Sequence, residues 1–225
     1  MSHSVKAYGF AASLGALVLA ACSAGDTREV PPPEALVDAA TAGDESQVQR
    51  LLDAGVDPDA ADGVGRTAVT HAAYAGHAQV VRMLVDAGAD IDLQDVTRAN
   101  ALLSTGETGY VEVLDEVLRA EPDLTRTNRF GGTALIPASD RGHVGVVRRL
   151  LDTAIDVDHV NDLGWTALLE AVILGDGGVK HTEIVRRLVA AGADASIADR
   201  EGVTALEHAR AAGYAEIVAI LERAG

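Results

Sequence analysis

The chain has 225 residues, a formal net charge of -16, one cysteine and an aromatic share of only 3%. The length permits one or two domains with a substantial core. A core of Ala, Leu and Val with so few aromatics suits closely packed helices better than a β-sandwich. The charge argues against nucleic acid, since phosphate binding requires a basic surface. It equally opposes adsorption to anionic head groups and leaves a basic or neutral protein partner open. A single cysteine excludes an internal disulfide framework.

Residues 1–21 carry one basic side chain, Lys6, and no acid. The apolar run from Ala7 to Ala21 that follows is shorter than the ~20 residues a membrane-spanning helix needs. A basic start, an apolar middle and small residues at the end predict a secretory signal peptide. It ends Leu19-Ala20-Ala21-Cys22, which resembles the bacterial lipobox. That resemblance implies that the Cys22 thiol takes a diacylglyceryl group and becomes the new N-terminus after cleavage. An unpartnered thiol is a liability in an oxidising compartment, whereas a lipidated one is not. One acyl chain holds a protein only marginally, two or three hold it firmly. Residues 22–33 lack hydrophobic periodicity and end in three prolines, so they read as a tether. At ~3.1 Å per residue it would hold the body roughly 30 Å from the lipid. In lipoproteins with such a signal, a serine after the cysteine, here Ser23, goes with the outer membrane. The expected location is therefore the periplasm, with the membrane touched only through the lipid anchor.

From residue 34 onward the sequence repeats itself. Glycines recur at Gly43, Gly76, Gly109, Gly142, Gly175 and Gly213, spaced 33, 33, 33, 33 and 38 residues apart. Asp57, Asp90, Asp123, Asp156 and Asp194 form a second ladder; Thr67, Asn100, Thr133, Thr166 and Thr204 form a third, with the same late jump. Three ladders with a common interruption mean six units, the fifth carrying a five-residue insertion. Within a unit, a glycine-containing turn leads to Thr-Ala-Leu or a variant that starts a short helix. Small residues such as Ala72 and Ala73 follow, and the ladder glycine ends that helix. A second helix carries apolar residues at helical spacing, as in Val80, Val81, Leu84 and Val85, and Asp-Ala-Gly-Ala-Asp (86–90) turns the chain to the next unit.

This grammar resembles the ankyrin repeat, a 33-residue β-turn and pair of antiparallel helices, and the resemblance covers residues 34–225. It implies an all-α solenoid of six units. The family's Thr-Pro-Leu-His motif is altered throughout: Ala replaces Pro, and Thr70, Leu103, Ile136, Leu169 and Glu207 stand where the family has His. The usual threonine–histidine hydrogen bonds are therefore absent. Polar residues in the first unit (Asp44, Glu45, Gln47, Gln49, Arg50) and the last (Glu207, Arg210, Glu216, Glu222, Arg223) suit terminal repeats, which no neighbour covers.

Few residues suggest chemistry. Asp57, Asp59 and Asp62, or Asp90, Asp92 and Asp95, lack the glycine and distal glutamate of a calcium loop and read as turn caps. His77 and His143 follow ladder glycines, where other units hold Tyr110 and Tyr214. His71, Glu170 and His208 share a first-helix position. With units ~10 Å apart, His71 stands roughly 30 Å from Glu170, whereas Glu170 and His208 are on adjacent units and could meet. The insertion, residues 176–182, has glycines and Lys180 but not the spacing of a P-loop; it reads as a loop extension between two helices. Pro137 falls about four residues into the first helix of unit four, where it removes a hydrogen bond. No nucleophile elbow or zinc pair is present, so no catalytic residue, metal or cofactor is expected.

What remains is a surface. The resemblance implies that turn tips and first helices line a concave face for partners. Tip residues Val64, Val96, Phe130, Leu163 and Trp165 and helix residues Tyr74, Ile173 and Leu174 fall there, with Arg129 and Arg141 beside them. The expected binding residues are Tyr74, Arg129, Phe130, Leu163, Trp165, Ile173 and Leu174, since exposed aromatic and aliphatic clusters mark interfaces. The alternative is inward packing against neighbouring units. The expected function is a monomeric scaffold or inhibitor of an envelope protein, an immunity-type block of a toxic protein included. Weak self-association through the apolar patch is also open. The competing reading is a periplasmic enzyme or metal-binding protein using Glu170, His208 and the 176–182 loop.

Overall fold

The computed structural model describes residues 30–224; the expected signal peptide, Cys22 and most of the expected tether lie outside the described residues. Pro33 begins the first helix rather than ending the tether. Its fixed φ and missing N–H suit the first helical position.

Twelve helices among the described residues form six antiparallel pairs: α1 (Pro33–Ala42) with α2 (Glu45–Asp53), α3 (Ala68–Ala75) with α4 (Ala78–Asp86), and α5 (Ala101–Thr108) with α6 (Val111–Arg119). The series continues with α7 (Leu135–Asp140) and α8 (Val144–Leu151), α9 (Ala167–Ile173) and α10 (Val179–Ala190), and α11 (Ala205–Ala212) and α12 (Ala215–Leu221). The odd-numbered helices pack side by side in one layer and the even-numbered ones in a second. This is the all-α six-unit stack that the ladders predict. Among the described residues no helix is long and apolar enough to cross a membrane.

The ladders explain the layers. Ala39, Ala72, Thr105, Ala138, Ala171 and Ala209 occupy one repeat position and are all buried, and their small side chains let the first helices approach closely. Leu51, Leu84, Val117, Leu150, Leu188 and Leu221 occupy another and fill the space between layers. The first helices approach closely at Gly106 of α5, where an added Cβ would lie 2.3 Å from the Ala134 carbonyl oxygen.

The third ladder supplies the helix N-caps. The side chains of Thr67, Asn100, Thr166 and Thr204 each accept a hydrogen bond from the backbone N–H three residues on, satisfying an orphan donor of the first turn. Where the family's histidine is missing, Thr70 hydrogen-bonds to Thr67 (3.0 Å) and Glu207 completes a capping box with Thr204. Unit four departs from the pattern. Pro137 has no N–H, α7 has only six residues, and the buried Thr133 hydroxyl caps nothing.

The insertion is the other departure. It lengthens the second helix as well as the loop: α10 has twelve residues, against nine in α4 and α6. Gly175 does not take the left-handed conformation of its ladder; Gly177, at φ +67°, takes it instead, under the ring of Tyr214. Counting back 33 residues from Tyr214 reaches His181, the true counterpart of His77, Tyr110 and His143.

Candidate partner-binding face

Each turn tip is organised by one Asp or Asn: Asp62, Asp95, Asn128, Asn161 and Asp199. Its Oδ1 accepts from the backbone N–H groups two and four residues on, as in Asp62 with Val64 and Arg66 and Asn161 with Leu163 and Trp165. The earlier aspartates cap the preceding turn in the same way: Asp57, Asp90, Asp123, Asp156 and Asp194 each accept from the N–H two residues on. Asp59, Asp92 and Asp158 accept from the N–H of Asp90, Asp123 and Asp194 in the next unit. These acids are the turn caps their repetition suggests, and among the described residues no three His, Cys, Asp or Glu side chains converge on a metal position.

The other polar atom of the tip residue reaches the first helix nine residues on. Asp62 meets His71 at 2.9 Å, Asn161 meets Glu170 at 2.8 Å and Asp199 meets His208 at 2.7 Å. In unit three, Asp95 instead holds Arg66 of the preceding unit, at 2.7 Å. Burial works against the charge of Asp95, but hydrogen bonds from Thr97, Ala99 and Arg66 outweigh it and hold the carboxyl below the usual range. Glu170 and His208 are thus each bonded within their own unit, and no hydrogen bond or ion pair joins them among the described residues. The insertion is likewise internally engaged. Asp176 accepts from the Gly178 N–H, and the two ring nitrogens of His181 meet Asp176 and the Asp140 carbonyl, both at 2.8 Å. His77 and His143 bond the Thr41 and Glu107 carbonyls of the preceding unit.

A cavity of about 230 Å³ opens between units four and five. Two repeat positions create it. Where other units place Arg66, Ala99, Trp165 or Val203, unit four has Gly132; where they place His71, Ser104, Glu170 or His208, it has Pro137. Neither residue fills the space. Phe130, Leu163 and Leu174 line the cavity at 52%, 48% and 51% exposure. Glu107, Asp140 and Glu170 bring three carboxylates to the same space, and Arg141 rims it. Glu170 is only 7% exposed; burial pushes its carboxyl up to about 7, with the negative charge of Asp140 adding to the rise and the Asn161 amide opposing it.

A second cavity of about 300 Å³ adjoins the first and shares Glu107, Asn128, Phe130 and Arg141 with it. Tyr74 lines this one and is half-buried. Its hydroxyl donates to Glu107 at 2.7 Å and the Arg66 guanidinium lies 4.9 Å from its ring centroid. Burial and the Glu107 contact push the phenol up to about 12. Arg129 covers its neighbour Phe130 at 4.8 Å from the ring centroid.

Of the residues expected to bind a partner, the two cavities thus gather Tyr74, Arg129, Phe130, Leu163 and Leu174. Trp165 and Ile173 line neither and are half-buried against the core. Trp165 sits at the base of its tip, where its N–H and carbonyl both bond Asn161; its side chain covers the stack. Glu107 and Asp140 were not among the expected residues, although the register contains the signal. Tyr74, Glu107, Asp140 and Ile173 succeed one another at 33-residue steps.

A two-layer stack of helix pairs with projecting Asx-closed tips defines an ankyrin-repeat domain, and the chain belongs to the ankyrin-repeat family. The family description, three copies of ankyrin repeats, matches residues 10–95, 36–128 and 101–199. Among solved structures, an ankyrin repeat domain from Acinetobacter baumannii AYE is 44% identical, with a TM-score of 0.81, covering 84% of this chain and 97% of that one. A second solved ankyrin repeat protein is 38% identical over 86% of this chain and 98% of its own, with a TM-score of 0.82. The ankyrin repeat domain of Bcl-3, of the IkappaB family, is 27% identical, with a TM-score of 0.76, covering 85% and 86%. The ankyrin repeat protein YahD of Escherichia coli K12 is 44% identical over 55 residues, 24% of this chain; the match spans about a quarter (27%) of that protein. Ankyrin-repeat domains are typically scaffolds for protein–protein interaction and in general not enzymes.

Proposed function

We propose that this chain binds a partner protein of the bacterial envelope through the face formed by units three to five, as a scaffold or inhibitor, while a lipid on Cys22 holds it at the membrane. The observation that carries the binding reading is the cavity between units four and five, around which the side chains of Phe130, Leu163 and Leu174 gather while remaining about half exposed. The envelope location rests on the sequence Leu19-Ala20-Ala21-Cys22 behind a short apolar run.

Photo-crosslinking in cells from position 163, with mass spectrometry of the captured protein, tests the binding. Position 163 is preferable to 165 because Trp165 packs inward. One dominant partner, lost in a Phe130→Asp/Leu174→Asp control of unchanged helicity, supports the reading. Absence of specific capture refutes it. The anchor is tested by the mass of the mature N-terminus: a lipidated Cys22 that disappears in Cys22→Ser supports the envelope location, and an unprocessed, unmodified chain overturns it.

A further inference from the structure

We infer that the cavity between units four and five is a socket for one arginine side chain of the partner, its guanidinium meeting the carboxylates of Asp140 and Glu170 and its stem lying against Phe130 and Leu174. This inference rests on the binding face proposed above and names what that face recognises.

The carboxylates are not a solvated acidic patch. Glu170 is nine-tenths buried, its Oε1 accepts from the Asn161 amide, and no second hydrogen bond reaches it among the described residues. Its counterparts His71 and His208 are each matched with an aspartate, so their pairs can carry compensating charge. In unit five the pair is Asn with Glu, and a neutral amide cannot balance the glutamate. Asp140, Glu107 and Arg141 make no ion pair among the described residues; Glu107 takes only the Tyr74 hydroxyl. A carboxylate buried without a cation is costly, and Glu170 accordingly holds its proton to near neutrality. The groups around it are Asp140, Glu107 and Arg141 across the cavity and the Asp199–His208 pair on the neighbouring unit.

Arginine fits this space better than lysine. Its planar fork can donate to two carboxylates at once, its delocalised charge is less strongly hydrated than an ammonium, and it stacks on aromatic rings such as the half-exposed Phe130. Arg129 already lies against that ring from the other cavity, so a guanidinium contact there has a precedent in the molecule. The opening exists because position 132 carries no side chain and position 137 only a proline ring. A Cβ at Gly132 would meet nothing closer than 3.5 Å, and its φ is not left-handed. The site can therefore be filled without disturbing the fold.

The experiment titrates the full chain with a heptapeptide of Gly and Leu carrying one central arginine, and with its twin in which neutral citrulline replaces the arginine, following backbone amide shifts of units four and five by NMR. The arginine peptide should bind at least about tenfold more tightly than its twin, the scale of one charge-assisted hydrogen bond. In Glu170→Gln the ratio should fall towards one, and Gly132→Val should abolish the arginine-dependent shifts while leaving the spectrum of units one, two and six unchanged. Equal binding of the twins, no binding of either, or an unchanged ratio in Glu170→Gln overturns the socket. If photo-crosslinking captures a partner that Glu170→Gln still binds fully, the socket falls while the binding face stands.

Discussion

Replacing Glu170 by Gln removes an ionisable group whose carboxyl is held at about 7 against an ordinary value of 4.5, while keeping an oxygen for the Asn161 amide. At about 1.4 kcal/mol per pH unit, that gap amounts to roughly 3 kcal/mol of destabilisation once the group is ionised. Water at the cavity mouth screens part of this, so about 2–3 kcal/mol is expected. The sign follows from proton binding. Below 4.5 the carboxyl is protonated in both folded and unfolded chains and has no effect. Between 4.5 and about 7 only the folded chain retains the proton, so stability falls as pH rises; above 7 the full penalty applies. Urea unfolding at pH 5 and pH 8 isolates the effect as the difference between the two proteins. Glu170→Gln should be more stable than the parent by about 2–3 kcal/mol at pH 8 and by less than about 1 kcal/mol at pH 5. An equal gain at both pH values, or a loss at pH 8, would refute the reasoning. A variant that gains stability while losing arginine binding would also mark the residue as kept for recognition.

Two backbone positions give further expectations. Arg98 has φ +60° where the other tips place Gly65, Gly131, Gly164 and Gly202. Arg98→Gly should relieve left-handed strain and raise stability by about 0.5–1 kcal/mol, even with loss of the exposed bond to Thr127; a lower melting temperature would contradict it. Gly106→Ala should do the reverse. In an open helix alanine gains about 1 kcal/mol over glycine, but here its Cβ would press on the Ala134 carbonyl. Thermal unfolding should show a loss of at least about 1–3 kcal/mol, and any gain would mean that α5 and α7 are not as close as described.

Most of the fold was legible in the sequence because each ladder acts locally. A threonine caps the helix that begins beside it, an aspartate closes the turn it belongs to, and alternating helical apolar residues recur at a fixed period; none of these needs the rest of the chain to be placed first. The same register, counted backward from Tyr214, would also have placed His181; it does not reach Gly177, since 33 residues before Gly213 stands Lys180, and only the structure shows that Gly177 takes the left-handed turn. Exposure was less legible. Trp165 looked like a tip anchor because large aromatics at tips often are, but the Asn161 hydrogen bonds that lift Leu163 outward set Trp165 inward against the stack. The meeting of Glu107, Asp140 and Glu170 across three units, and the void left by Gly132 beside Pro137, were decided only by the tertiary structure. Repetition in sequence specifies what each unit does for itself, whereas a cavity arises where one unit lacks, at two positions, the side chains that would have closed it against its neighbour.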